Sequence, residues 1–148
     1  MREISYSNEF DLILLLFSSF GYFEDDDNFL VLKIINEGLK KGGKLYFDLM
    51  NRDVIMKNFI PNFVREKNGN LMIDRNEFDT ISGRIINKRI LIKDGKRFDM
   101  PFFMRLYNPS ELNILLKSAG FSKIEFYGDN FSEVFNTKSR RIRIIAYK

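Results

Sequence analysis

The 148 residues include no histidine and no cysteine, which excludes imidazole acid–base chemistry, thiol nucleophiles, thiolate metal sites and disulfides. Any catalysis must use Asp, Glu, Lys, Arg, Tyr or backbone groups, or must position a cofactor that is itself reactive. Two clusters have types and spacing suited to chemistry. Asp25, Asp26 and Asp27 are either the acidic start of a helix or a metal site. The helix start is the stronger reading, because carboxylates favour the positive end of a helix dipole, and consecutive ones point in different directions. Arg140, Arg141 and Arg143 are either a phosphate patch or, more simply, a solvated strand end. Near position 105, Arg105 and Tyr107 alternate with an apolar row, Phe98, Met100, Phe102, Met104 and Leu106. A strand would point the two sets to opposite faces, with the apolar row in the core and the other pair in solvent.

The stretch that must position these groups runs from Phe10 to Asn51. Residues 10–17 (FDLILLLF) are continuously apolar from Leu12, as in a strand covered on both faces. Ser18, Ser19 and Gly21 break the run. A helix is expected from the acidic residues to about Leu39, with Phe29, Leu32, Ile35 and Leu39 on one stripe, Lys40 and Lys41 at its negative end and Gly42 as its left-handed cap. Lys44 to Leu49 reads as a second strand. Two strands joined by one helix should be parallel, with their carboxyl ends on one rim, where ligands bind in open α/β sheets. Phe17 to Tyr22 and Asp48 to Arg52 would converge there.

Beyond it, Asn51 can cap a short helix, Arg52 to Phe59. Residues 70–106 contain three strand-like runs, the last two joined by an Asp94-Gly95 hairpin signal, and read as an antiparallel three-stranded meander covering the rim. Asn108-Pro109-Ser110-Glu111 is a capping-box helix start. Leu112, Leu115, Leu116 and Ala119 form its buried stripe and Gly120 ends it. Phe121 to Tyr127 and Arg140 to Tyr147 are the last strands. The composition, 45% hydrophobic and 30% charged, fits one α/β domain over residues 1–148. The missing cysteines fit a cytoplasmic protein, and no apolar run is long enough to span a bilayer. The net charge of +4 is carried by Lys and Arg spread along the chain, so nucleic acid is not expected as a partner.

FDLILLLFSSFGYF, then LKKGGKLYFDLMNRD, then RLYNPSELNILLKSAGF resembles the class I S-adenosylmethionine-dependent methyltransferases, in the small-molecule branch with an antiparallel insertion. Where that family usually has Leu-Lys-Pro-Gly-Gly, this chain has Leu39-Lys40-Lys41-Gly42-Gly43. The resemblance implies a partial Rossmann-like sheet in the order first strand, second strand, Arg140–Tyr147, Phe121–Tyr127. It also implies what is missing. The family opens with strand–helix units carrying a glycine-rich turn for the cofactor, and this sequence has no Gly-x-Gly. It therefore resembles the C-terminal, acceptor-side portion, beginning just before the family's fourth strand.

The implied cofactor is S-adenosyl-L-methionine and the implied acceptor a small molecule. Phe17, Ser18, Ser19 and Phe20 would border the cofactor, with Met1 and Arg2 beside its adenine. Asn51, Arg105 and Tyr107 would face the acceptor, with Tyr22 and Tyr127 weaker candidates; Asn51 reads more simply as a helix cap. No catalytic residue is assigned. The chain is expected to be inactive without the complementary half. The bare Leu12–Phe17 edge should recruit either a second copy or a partner carrying that half. A non-enzymatic binding or assembly module on the same fold is the alternative.

Overall fold

The computed structural model describes residues 6–148. The fold is mixed α/β, built on two sheets. The first contains β1 (Phe10–Leu15), β2 (Leu39–Met50), β10 (Arg141–Tyr147) and β9 (Lys123–Tyr127), hydrogen-bonded in that order. Helix α1 (Asp25–Gly38) connects β1 to β2, which run parallel, whereas β10 is antiparallel to both its neighbours. This order and these directions are those expected from the sequence. Leu45, Phe47 and Leu49 of β2 and Ile142, Ile144 and Ala146 of β10 share one core with Val31, Leu32 and Ile35 of α1 and Leu112 and Leu116 of α3 (Pro109–Ser118). Each of the Leu, Ile, Val and Phe side chains among them contributes about 1.5–3 kcal/mol by leaving water.

The elements start and stop differently in three places. The strand β2 begins at Leu39, which is itself the C-cap of α1, donating its backbone N–H to the Ile35 carbonyl. Gly42 therefore caps no helix, and Lys40, read as a helix-end charge, pairs with Asp11 instead. The two glycines serve a bulge. The β1–β2 register jumps from Phe10 opposite Leu39 to Leu12 opposite Lys44, Gly42 takes φ +78°, and a Cβ on Gly43 would lie 2.8 Å from the Lys40 carbonyl oxygen. A bulge of this kind needs residues without side chains.

Secondly, β1 stops at Leu15 and is not covered on both sides: Leu12 and Leu14 are 52% and 50% exposed. Only β2 is bonded to β1, so one of its backbone edges is open among the described residues.

Thirdly, the meander of three strands is a six-stranded sheet that begins earlier, at β3 (Asn62–Lys67). The long β4 (Asn70–Asp79) pairs with β3 and β6 (Ile90–Lys93) at one end and with β5 (Arg84–Asn87) at the other. β7 (Lys96–Asp99) and β8 (Phe102–Arg105) complete the sheet. The runs expected as single strands break at Lys88–Arg89 and at Met100–Pro101, where the chain changes partner. Because of the second break the apolar row does not share one environment: Met104 and Leu106 are buried, but Phe98 and Met100 are half exposed.

Asn51 caps α2 (Arg52–Lys57), two residues shorter than expected, and Asn108 with Glu111 forms the expected capping box on α3. No helix among the described residues is long and apolar enough to cross a membrane.

Candidate functional site

The carboxyl ends of β1 and β2 are tied together by one side chain. Phe17 and Ser18 both adopt left-handed backbone angles, φ +57°, which turn the chain off β1. Phe17 N–H then donates to the Asp48 carboxylate at 2.8 Å, and Ser18 N–H to the Asp48 carbonyl at 3.1 Å. The same carboxylate pairs with Arg141 on β10. A charge-assisted contact of this kind is worth more than a neutral hydrogen bond.

The second sheet covers this rim, as expected. Arg105 N–H donates to the Gly21 carbonyl at 2.8 Å, and Gly21 takes φ +101° with its missing Cβ only 2.7 Å from the Arg105 carbonyl oxygen. Met104 to Tyr107 thus lies directly over Ser18 and Phe20. Tyr107 is buried rather than solvated, its ring 5.5 Å from that of Phe20 and 4.8 Å from the Arg105 guanidinium. Its hydroxyl lies beside Asn28 without a well-formed hydrogen bond. Burial pushes its pKa up to about 12, and the Asp25 carboxylate adds to the shift. Ser18 Oγ, Asn28 Oδ1 and Arg105 Nε are likewise buried without a hydrogen bond among the described residues. Natural proteins leave few such atoms, and those they leave are often functional.

Arg105 is not solvated either. It donates to Glu111 at 2.6 Å and to the Leu106 carbonyl, and lies 3.7 Å from Asp25. Arg84 meets Glu24 and Asp25 at 2.9 Å each. Burial alone would push the Glu111 carboxyl up; the Asn108 backbone N–H and the Arg105 guanidinium outweigh it and hold it below the usual range. This network joins the first turns of α1 and α3 through β5 and β8. Sequence reasoning missed it. The acidic run at Asp25–Asp27 was its one visible sign, and those residues do form the first turn of α1.

The remaining candidates are scattered. Ser19 is exposed on the turn, and Phe17 is 89% exposed. Tyr22 leans toward Phe102, with ring centres 6.3 Å apart. Asn51 is a buried strap and cap: it accepts from Asp53 N–H and donates to the Ser139 carbonyl at 2.7 Å. Tyr127 bonds to Glu125. The three C-terminal arginines have partners, Arg140 in Asp129, Arg141 in Asp48 and Arg143 in the Gly128 carbonyl, so they are not a free phosphate patch, while Arg140 at the strand end is solvated as expected. Met1 and Arg2 lie outside the described residues.

The hollow beside Ser18 and Tyr107 measures about 10 Å³, room for one water. Larger hollows lie elsewhere. One of about 520 Å³ opens between Glu24 and the second sheet, walled by Arg84, Asn87, Lys88, Phe102 and Phe103. Another, of about 340 Å³, is apolar and lies along β1 and α1 between Leu12, Leu14, Val31 and Ile34.

Neither a family model nor a curated protein matches the sequence. Solved structures match the fold. An S-adenosylmethionine-dependent methyltransferase from Clostridium acetobutylicum superposes with a TM-score of 0.84 at 20% identity, over 99% of this chain and 61% of its own. The CcbJ methyltransferase from Streptomyces caelestis gives 0.76 at 15% identity, over 99% and 60%. The amino pentose methyltransferase CalS10 from Micromonospora echinaspora, solved with S-adenosylmethionine bound, gives 0.64 at 11% identity, over 99% and 62%. This chain has the fold of part of an S-adenosylmethionine-dependent methyltransferase. It spans about three-fifths of the length of these neighbours. At such identities the likeness is one of fold.

Proposed function

We propose that this chain is the acceptor-side, C-terminal portion of an S-adenosyl-L-methionine-dependent methyltransferase with a small-molecule acceptor. The observation that carries the reading is the superposition of nearly the whole chain on such enzymes, with the β1–β2 rim at the place where open α/β sheets take ligands. The sheet is accordingly the back part of a Rossmann-like one. A sulfonium methyl is already activated, so the protein's task is to align the acceptor with it and exclude water. The turn Phe17–Phe20 is one wall toward the cofactor. The unpartnered Ser18 Oγ and Tyr107 hydroxyl suit polar ligand groups there, and the hollow of about 520 Å³ suits the acceptor.

Among the described residues the rim offers one wall of a cofactor site and no cradle: the hollow there is about 10 Å³, and the sequence has no Gly-x-Gly. We therefore derive no chemical step through it. The missing contacts come, in this reading, from a polypeptide bound along the open edge of β1, either a second copy or a chain carrying the complementary half. The protein is placed in the cytoplasm on its lack of cysteine. The same one-water rim favours a second reading, a binding or assembly module that keeps the fold without the chemistry.

Calorimetric titration of S-adenosyl-L-methionine into the full chain separates the two. The methyltransferase reading expects saturable binding in the submillimolar range, roughly 4 kcal/mol or more, once the open edge of β1 is occupied by a second copy or by a complementary chain. An absence of heat at millimolar cofactor, both in the self-associated chain and with a complementary chain present, would leave the module.

A further inference from the structure

The second sheet carries charge that the rest of the chain does not. Residues 60–107 hold ten Lys and Arg against six Asp and Glu, which accounts for the whole net charge of +4. Most arginines are nonetheless neutralised locally: within this sheet Arg84, Arg89, Arg97 and Arg105 each lie within 4.0 Å of a carboxylate. Arg75 is different. Among the described residues it has no ion pair, no side-chain hydrogen bond and no aromatic face, whereas Arg65, which also lacks a carboxylate, covers Phe63. Across from Arg75 stands Lys88, equally unpaired, its backbone N–H bonded to the Arg75 carbonyl at 2.9 Å. Like charges directly opposed on neighbouring strands repel, and the sheet gains nothing internal from placing them there.

The surface is concave at this pair. Arg75 and Lys88 line two adjoining hollows, of about 260 Å³ and 220 Å³. The larger also contains Arg89 and Arg97; the acids at these walls are Asp99, already held by Arg97, and Glu77, with no cation within 4.0 Å. Lys88 also lines the hollow of about 520 Å³, so the three form one groove around its side chain. In that largest of the three, beside Lys88, Asn87 is only 3% exposed and keeps its Oδ1 without a partner, while Phe102, Phe103 and Pro101 supply apolar wall and Glu24 and Asp79 its acids.

We propose that this groove binds a small phosphorylated molecule, its phosphate between Arg75 and Lys88 and its uncharged body against Phe102 and Asn87. A phosphate carries about −1.5 to −2 charge at neutral pH, which matches two unpaired cations better than a carboxylate does. Arginine presents a planar donor fork suited to phosphate oxygens, and lysine a point charge. That this ligand is the methyl acceptor rests on the reading above; the anion site itself does not.

The test is calorimetric titration of the full chain with phenyl phosphate, phenol, benzoate and a short single-stranded RNA, in the absence of S-adenosyl-L-methionine. Phenyl phosphate should saturate, phenol and benzoate should bind far more weakly, and the Arg75→Gln/Lys88→Gln double variant should weaken phenyl phosphate roughly tenfold or more. Both side chains are exposed, so the variant should melt as the parent does. No saturation by about 10 mM phenyl phosphate, or equal binding by the variant, would overturn the site. RNA binding that is much tighter and falls steeply with salt would overturn the small-molecule assignment. Because no cofactor is present, these results stand whether or not the chain transfers methyl groups.

Discussion

Tyr107 shows how a side chain's role can be set far from its own sequence neighbourhood. A hydroxyl taken from water without a partner costs about 1–3 kcal/mol. Removing it while keeping the ring should therefore not harm the fold: Tyr107→Phe is expected to raise the unfolding free energy by about 1 kcal/mol at neutral pH, read from urea denaturation. A loss instead would mean that the hydroxyl has a partner. The pH dependence follows from the raised pKa. The phenol is protonated in both states below about pH 10, and between there and about pH 12 only the unfolded chain loses the proton, so stability falls over that window. The phenylalanine variant should lose less over the same range, judged as the difference between the two denaturation series. In the sequence Tyr107 looked solvated because alternation shows which residues share a face, not what covers that face. Asn108 and Glu111 were legible because their two hydrogen bonds span only three residues. The partner of Arg105 in α1, Asp25, is eighty positions away.

At the level of elements, the latch between the sheets is Gly21 against Arg105. Gly21→Ala places a methyl group 2.7 Å from a backbone oxygen at a φ of +101°. Neither conflict can relax through a flexible side chain, so a loss of about 3 kcal/mol or more is expected, visible as a lower melting temperature. Hydrogen exchange should show faster exchange concentrated in β8 and at Phe20–Tyr22. An equal rise throughout β2 and β10 would argue against a local latch. The hairpin of β3 and β4 carries its own local signal in Asn68-Gly69, whose φ values of +52° and +73° are those a two-residue turn requires. The breaks at Lys88–Arg89 and Met100–Pro101 were harder to read. Pro101 marks the second, but nothing in the composition near Lys88 says that one apolar run must serve two partners.

For the whole molecule, the proposal of a partner along β1 rests on an edge that is open among the described residues. A strand with one side unbonded and Leu12 and Leu14 half exposed is a template for another chain. Sedimentation velocity should show self-association at concentrations on the order of tens of micromolar, and Leu12→Lys/Leu14→Lys should abolish it. Because both side chains are already half in solvent, folding should survive, checked by an unchanged circular dichroism spectrum. A wild-type chain that stays monomeric would remove the second-copy version of the proposal and leave a separate complementary chain.

From the sequence alone came the strand–helix–strand unit, its parallel sense and both asparagine caps. Each follows from apolar period, from hydrogen bonds closed within a few residues, or from the handedness of a short crossover, whereas the order of the first sheet came only from the family resemblance. The tertiary structure alone decided that Tyr107 and Arg105 are buried on the rim, that Gly42 and Gly43 shape a bulge, and that Arg75 and Lys88 stand opposite each other without partners. Those facts depend on which strands come to lie side by side, and register between distant segments is set by packing of the whole core rather than by any local run of residues.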